Sequence, residues 1–227
     1  MPDIVLDIET LPTDRADVID MLAASIKAPA QYKKPDSIAQ WLEENKAAEL
    51  DALRRKTALD GAFGMVACIG IAIDDCEPGM FYSDGIMKVH EEARILRDFS
   101  DYLNSLKCDK YTTLVVGHNV AGFDLRFLLQ RYIVNRLPVP HIIKHAASAK
   151  PWESEKVFDT MCQWAGVGNR ISLDKLCMAL EVPTSKGGIT GATVYDEWLK
   201  GNIEGIAEYC KRDVEATREV FRRMRGY

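Results

Sequence analysis

A chain of 227 residues, 47% of them apolar, is long enough to bury a substantial core and fits one large domain or one domain carrying an insertion. No apolar run approaches the ~18 residues a membrane-spanning helix needs, and Met1-Pro2-Asp3-Ile4-Val5 lacks the basic and then apolar regions of a secretory leader, so a cytoplasmic protein without membrane contact is expected. The formal charge of −5 disfavours tight binding to long duplex nucleic acid.

The first element is legible from alternation. Within residues 3–9, Ile4, Leu6 and Ile8 fall on one face and Val5, Asp7 and Glu9 on the other, the period of a strand, which Thr10-Leu11-Pro12 is expected to end. Residues 14–60 change texture: they are rich in Ala, Asp, Glu and Lys, with Ile38, Trp41, Leu42, Leu50 and Leu53 at helical spacing and Asp36-Ser37 as a candidate cap. They read as two helices inserted into a sheet, since such a short stretch is too small for a core of its own. Strand signals resume at 65–73, turn at Asp74-Asp75-Cys76-Glu77-Pro78-Gly79 and return at Met80-Phe81-Tyr82-Ser83. Residues 88–106 form an amphipathic helix with Val89, Ala93, Leu96, Phe99 and Leu103 inward.

Thr112 to Val116 is a continuous apolar strand that runs through Gly117-His118-Asn119 into a helix from about Phe123 to Asn135. A polar loop at 146–156 precedes a short strand, Val157-Phe158-Asp159. Ser172-Leu173-Asp174 starts another helix, Lys186-Gly187-Gly188-Ile189-Thr190-Gly191 reads as a flexible loop, and a last helix spans about Ile203 to Met224. The order implies an α/β chain: a mixed five-stranded sheet, three antiparallel strands followed by parallel crossovers, with helices on its faces. It is expected as a single domain, 1–227, with a helical insertion at about 14–60. The cysteines, Cys68, Cys76, Cys108, Cys162, Cys177 and Cys210, form no CxxC pair and have no paired His spacing beside them. They read as reduced, mostly core thiols rather than disulfide or zinc partners.

Three places carry acids that need an explanation. Asp7 and Glu9, two residues apart, leave the same strand face, where they repel each other and resist desolvation. A divalent cation with oxygen ligands resolves both problems; a solvated strand end resolves them too. Asp124 follows a buried strand and a Gly-containing turn, at the carboxyl-end crevice where ligands collect in such sheets; it reads as a ligand or as a helix cap. His118 in that turn reads as a contact residue or as a satisfied structural histidine. On a helical wheel at ~100° per residue, Ile206, Cys210, Val214, Thr217, Phe221 and Met224 form an apolar stripe with Val220 at its edge. Asp213 falls inside that stripe, while Glu208, Lys211, Arg212, Glu215, Arg218, Glu219 and Arg222 take the far side. A buried acid needs a partner: a metal, an arginine or a helix N-terminus. Tyr209 lies one turn earlier on the same face.

These residues resemble the three exonuclease motifs of the DEDD superfamily: Asp7-Ile8-Glu9-Thr10, then His118-Asn119 through Phe123-Asp124, then Tyr209-Cys210-Lys211-Arg212-Asp213. The Tyr-x-x-x-Asp third motif is similar to that of the DEDDy branch, which contains the proofreading domains of DNA polymerases. The chain most resembles stand-alone proteins similar to the exonuclease domain of family B polymerases, and Ser172-Leu173-Asp174-Lys175-Leu176 and the Lys186–Gly191 loop share that likeness. The resemblance spans residues 3 to 217. It implies a ribonuclease H-like fold and hydrolysis of phosphodiester bonds at the 3′ end of single-stranded nucleic acid, DNA rather than RNA, with two divalent cations, Mg2+ or Mn2+.

It further implies that Asp7 bridges two metals, that Glu9 and Asp213 hold the one carrying the attacking water, and that Asp124 serves the other, partly through water. Tyr209 orients the water, since its free pKa near 10 makes it a poor base. With those four acids set aside, the remaining formal charge is −1, compatible with an enzyme that grips a short chain end. Substrate contacts are expected from Thr10, Leu11, His118, Asn119 and Phe123, the last by base stacking or else serving the core. Asp159 reads as an extra site acid or as a strand-end residue supporting the others. Lys150, Trp152 and Lys186 read as guides for a single strand or as solvated loop residues. An exoribonuclease on the same fold and a catalytically silent binding module stay open. With no polymerase module in this chain, a replication or repair role calls for a partner in trans.

Overall fold

The computed structural model describes residues 2–83, 89–106, 108–109, 111–150, 152–184 and 187–226. Five strands, β1 (Asp3–Leu11), β2 (Met65–Ile73), β3 (Gly79–Tyr82), β4 (Leu114–Gly117) and β5 (Val157–Asp159), form one sheet in the order β3-β2-β1-β4-β5. β1 runs antiparallel to β2 and parallel to β4, β3 is antiparallel to β2, and β5 is parallel to β4. This is the expected α/β mixed sheet, a meander followed by parallel crossovers.

The helices among the described residues are α1 (Ala16–Ser25), α2 (Pro35–Lys56), α3 (Val89–Ser105), α4 (Asp124–Val134), α5 (His141–Ala146), α6 (Thr160–Ala165), α7 (Leu173–Leu180), α8 (Val194–Leu199) and α9 (Ile203–Arg225). None of them is long and apolar enough to cross a membrane. The sequence did not announce α5, α6 or α8, each of six residues, because less than two turns is too short for a 3.6-residue period to register.

β1 is central, and both of its faces are covered. Ile4, Leu6 and Ile8 enter a core completed by Ile95, Leu96 and Phe99 of α3 and by Leu125 and Leu128 of α4. Val5 joins Ala72 and Val116 against Val214 and Phe221 of α9. Each such side chain contributes ~1.5–3 kcal/mol when fully buried, so the stripe read from the α9 sequence is what seats that helix. Gly70 lets α9 approach: a Cβ there would lie 2.8 Å from Val214 Cγ2 and 3.0 Å from Cys210 Sγ. Gly70 is the register partner of Asp7, so the close approach of helix and sheet falls at the acids.

On the α3 side, Glu92 is fully enclosed. Arg131 of α4 donates to both of its oxygens at 2.8 and 2.7 Å, the Val66 amide donates at 2.9 Å, and Asn135 Nδ2 donates at 2.8 Å. This clip ties α3, α4 and β2 together.

The insertion forms a helical pair, as expected, but α2 starts at Pro35 with Lys34 at its cap. Asp36 and Ser37 are therefore first-turn residues rather than caps. Proline at N1 loses no hydrogen bond and has its φ preset, which is why the start lies earlier. α2 buries no residue and α1 buries only Val18. The pair is tied down near its ends: Thr13 N donates to Thr57 Oγ1 at 2.8 Å, Arg54 Nε donates to Thr13 O at 2.9 Å, and Arg55 pairs with Asp196 of α8 at 2.8 Å.

Candidate active site

Three elements bring the acids together. β1 holds Asp7 and Glu9 on the face toward α9, and α9 returns Asp213, which is only 8% exposed. Carboxylate oxygens of Asp7, Glu9 and Asp213 all lie within 4.8 Å of one another. The fourth acid, Asp124, stands outside that triad as the first residue of α4. It is buried, and its Oδ1 accepts from the Ile8 amide at 3.1 Å. It is not the helix cap: Phe123 holds that position without a capping side chain.

Crowded, buried acids hold their protons more tightly than free ones. Burial, then Asp124, Glu9 and Asp213, push the Asp7 carboxyl well above the usual range, and burial with Cys68, Asp213 and Asp124 does the same to Glu9. Burial pushes Asp124 up to about 7, against the opposing pull of the Asp124 and Ile8 amides. An all-oxygen donor set of this kind fits a hard divalent cation such as Mg2+ or Mn2+, which would offset the repulsion. The thiol of buried Cys210 lies 3.3 Å from Asp7 Oδ2, as a donor. That contact had a sequence signal in the lone glycine, Gly70, of an otherwise apolar strand.

Tyr209 is half-buried, and its hydroxyl engages the Asp213 carboxylate. Burial, Asp213 and Glu9 raise its pKa, so it stays protonated. His118 has both ring nitrogens engaged within the chain: Nε2 donates to Ile171 O at 2.9 Å, and Nδ1 lies 2.9 Å from Thr160 Oγ1. Burial lowers its pKa, so the neutral ring accepts from Thr160. Only the surface of the ring is left for a substrate.

Asn119, with φ of 63°, turns the loop after β4. Asp159 fixes that turn: its oxygens accept from the amides of Asn119, Ala121, Met161 and Cys162 at 3.0 to 3.2 Å. It is a support for the loop and the cap of α6. Phe123 is half-buried and lies against Phe127 with ring centroids 5.4 Å apart, so it serves the core while keeping an open side.

Leu11 requires a correction. It is completely buried, 0% exposed, and offers no surface to a nucleotide. β1 does not stop at Thr10 but stays paired through Leu11 with Met65, and the insertion folds over this end, with Thr10 Oγ1 donating to Ala58 O at 2.7 Å. That hydroxyl is thereby committed within the chain. Lys186 lies outside the described residues.

An open concavity of about 890 Å³ is lined by Tyr209, His118, Asn119, Trp164, Arg170 and Lys175. A second, of about 410 Å³, shares Asn119, Met161 and Arg170 with the first and continues to Lys150 and Arg126. The sequence did not mark Trp164, Arg170 or Arg126, because isolated exposed residues carry no periodic signal. All six cysteines are free; Cys68, Cys177 and Cys210 are buried and Cys76 is exposed.

Comparison with solved structures finds the family B DNA polymerase of the archaeon Pyrobaculum calidifontis at a TM-score of 0.58 and 15% identity, covering 99% of this chain and 24% of the polymerase. Escherichia coli Exonuclease I in complex with a 5cy-dT13 oligonucleotide matches at a TM-score of 0.44 and 14% identity, covering 99% of this chain and 40% of that one. The chain thus spans about a quarter and two fifths of the lengths of these proteins. Curated proteins gave no match. The fold is a ribonuclease H-like α/β fold shared with the polymerase. A family model described as predicted 3′–5′ exonuclease related to the exonuclease domain of PolB matches residues 62–227, a stretch that contains Asp124, Tyr209 and Asp213 and leaves β1 to be placed by the structure. The chain belongs to this family of exonucleases related to the PolB exonuclease domain.

Proposed function

We propose that this protein is a metal-dependent 3′–5′ exonuclease that releases nucleotides from the 3′ end of single-stranded DNA. The observation that carries the reading is the meeting of Asp7, Glu9 and Asp213 within 4.8 Å, with Asp124 beside β1 and Tyr209 on Asp213. Asp7, Glu9 and Asp213, with Asp124, would hold two divalent cations, whose chemistry is to lower the pKa of water and to neutralise charge on the departing 3′ oxygen.

The side chains supply the rest. Tyr209, kept protonated and fixed by Asp213, orients the attacking water by hydrogen bonding and does not deprotonate it. Cys210 and the closeness that Gly70 permits hold Asp7 at its register position. Displacement at phosphorus breaks the bond to the 3′ oxygen and frees a 5′-mononucleotide. Buried groups that cannot reorganise make such a site effective, because the field is set before the reaction begins.

The test is digestion of 3′- and 5′-labelled single strands and duplexes, DNA and RNA of one sequence, with Mg2+ or Mn2+. Stepwise shortening from the 3′ end of DNA single strands, lost on chelation, is the expected result. Faster shortening of RNA would make the enzyme an exoribonuclease. No cleavage with either metal, together with retained binding, would leave a silent binding module.

A further inference from the structure

We infer that the trough running from Tyr209 past Asn119 and Arg170 to Lys150 and Arg126 is the track of a single-stranded nucleic acid, with Trp164 as a base platform and Arg170 as the central phosphate contact. This deepens the exonuclease reading and rests on it. The two concavities adjoin at Asn119, Met161 and Arg170, and the first is also lined by Tyr209, the neighbour of Asp213.

Its charge is opposite to that of the molecule. In a chain of net charge −5, the channel is lined by Lys175, Arg170, Lys150 and Arg126, and by one acid, Asp159. Both Asp159 oxygens already accept backbone amides. Several surface cations elsewhere are matched: Arg15 with Asp17, Lys156 with Glu153, Lys200 with Glu197 and Arg222 with Glu219. Among the described residues, Arg170 and Lys175 have no carboxylate within 4 Å. A row of unmatched cations suits a ligand that carries one negative charge per unit length.

Trp164, a large aromatic left 46% exposed, lines the same concavity as Tyr209. Aromatic platforms interleaved with cations accept any base by its π-face. Duplex is disfavoured because its second strand would add charge without a second row of cations. Asp159 has a further role here: by fixing the Asn119 turn and capping α6, it shapes the wall shared by the site and the channel.

The test compares the wild type with Trp164→Ala, Arg170→Ala and Lys175→Ala, singly and together, on two substrates. One is dT12; the other is the p-nitrophenyl ester of thymidine 5′-monophosphate, too short to enter the channel. The expected result is that the ratio of kcat/KM on dT12 to kcat/KM on the ester falls tenfold or more in the triple variant, mostly through KM. The log–log salt slope of dT12 binding should shrink by roughly 0.7 for each phosphate that is no longer neutralised. A control variant, Lys46→Ala/Arg223→Ala, removes two cations outside the channel and should leave the ratio unchanged.

An unchanged ratio in the triple variant, or equal loss on both substrates, would overturn the track. Fluorescence anisotropy of labelled dT12 in EDTA separates this inference from the exonuclease reading. Loss of affinity in the triple variant supports the track even if the wild type cleaves nothing, and equal affinity, or no binding by the wild type, overturns it.

Discussion

Glu92, on the α3 side of the sheet, and Asp7 and Glu9, on the α9 side, are acids held inside the same domain in opposite ways. Glu92 meets a guanidinium on both oxygens and two further N–H donors. Asp7 and Glu9 meet other carboxylates, and the described residues place no lysine or arginine within 4 Å of either. A paired buried charge is a structural joint. Acids gathered where their charges repel cost stability, and a bound cation would offset that cost.

The sharpest way to break this comparison is to remove one acid from each group. Asp7→Ala or Asp213→Ala should lower 3′ nucleotide release by about a thousandfold or more while the chain still melts cooperatively. Activity near wild type in either variant would sink the carboxylate site. Arg131→Ala should do the reverse, costing ~3–5 kcal/mol through an uncompensated Glu92, or about 10 °C in Tm, while the turnover of the folded fraction survives. Calorimetry beside a nuclease assay reads both; a small loss of stability in Arg131→Ala would mean that Glu92 is not the joint described.

The acids also set a pH dependence. Burial and mutual repulsion raise Asp7 and Glu9 well above their ordinary values of 3.8 and 4.5, and Asp124 to about 7. The folded chain therefore binds protons more tightly than the unfolded chain. The stabilisation is fully present below the ordinary carboxylate range; the Asp124 share is lost as pH rises through about 7, and the shares of the raised Asp7 and Glu9 are lost in the same direction. Melting without metal should give a lower Tm at pH 8 than at pH 5. Mn2+ or Mg2+ at a hundred times its Kd should restore ~2.7 kcal/mol at pH 8; a metal-free Tm that climbs from pH 5 to 8 contradicts the sign.

The smallest expected effect is the most specific. Asp7→Asn removes the repulsion but keeps the shape, so at pH 8 the metal-free variant should be more stable than the wild type by ~1 kcal/mol, with a flatter pH profile and no activity. A destabilised variant would mean that the Asp7 charge is already compensated within the protein.

The strands, the long helices and the acids were legible because they carry strong periodic patterns or stand out against them. Asp213 was readable as the one acid inside the apolar stripe of α9. What escaped was set by tertiary contact. Leu11 is buried because β1 runs on past Thr10, paired with Met65, into the main core, which no local pattern encodes. His118 found its partners, Thr160 and the Ile171 carbonyl, 42 and 53 residues away. Arg170 and Lys150 sit in loops, and Arg126 and Lys175 on helices that were legible, but that the four line adjoining concavities is known only once the sheet has formed.

The contact between Cys210 and Asp7 joins positions 203 residues apart, on the first strand and the last helix. A nascent chain on the ribosome can pair β1 with β2 and even with β4, yet it lacks Tyr209 and Asp213 until α9 emerges. Such long-range closure makes for slow folding. A half-made copy therefore lacks the complete acid cluster, because Asp213 joins Asp7 and Glu9 only when α9 has docked against the sheet.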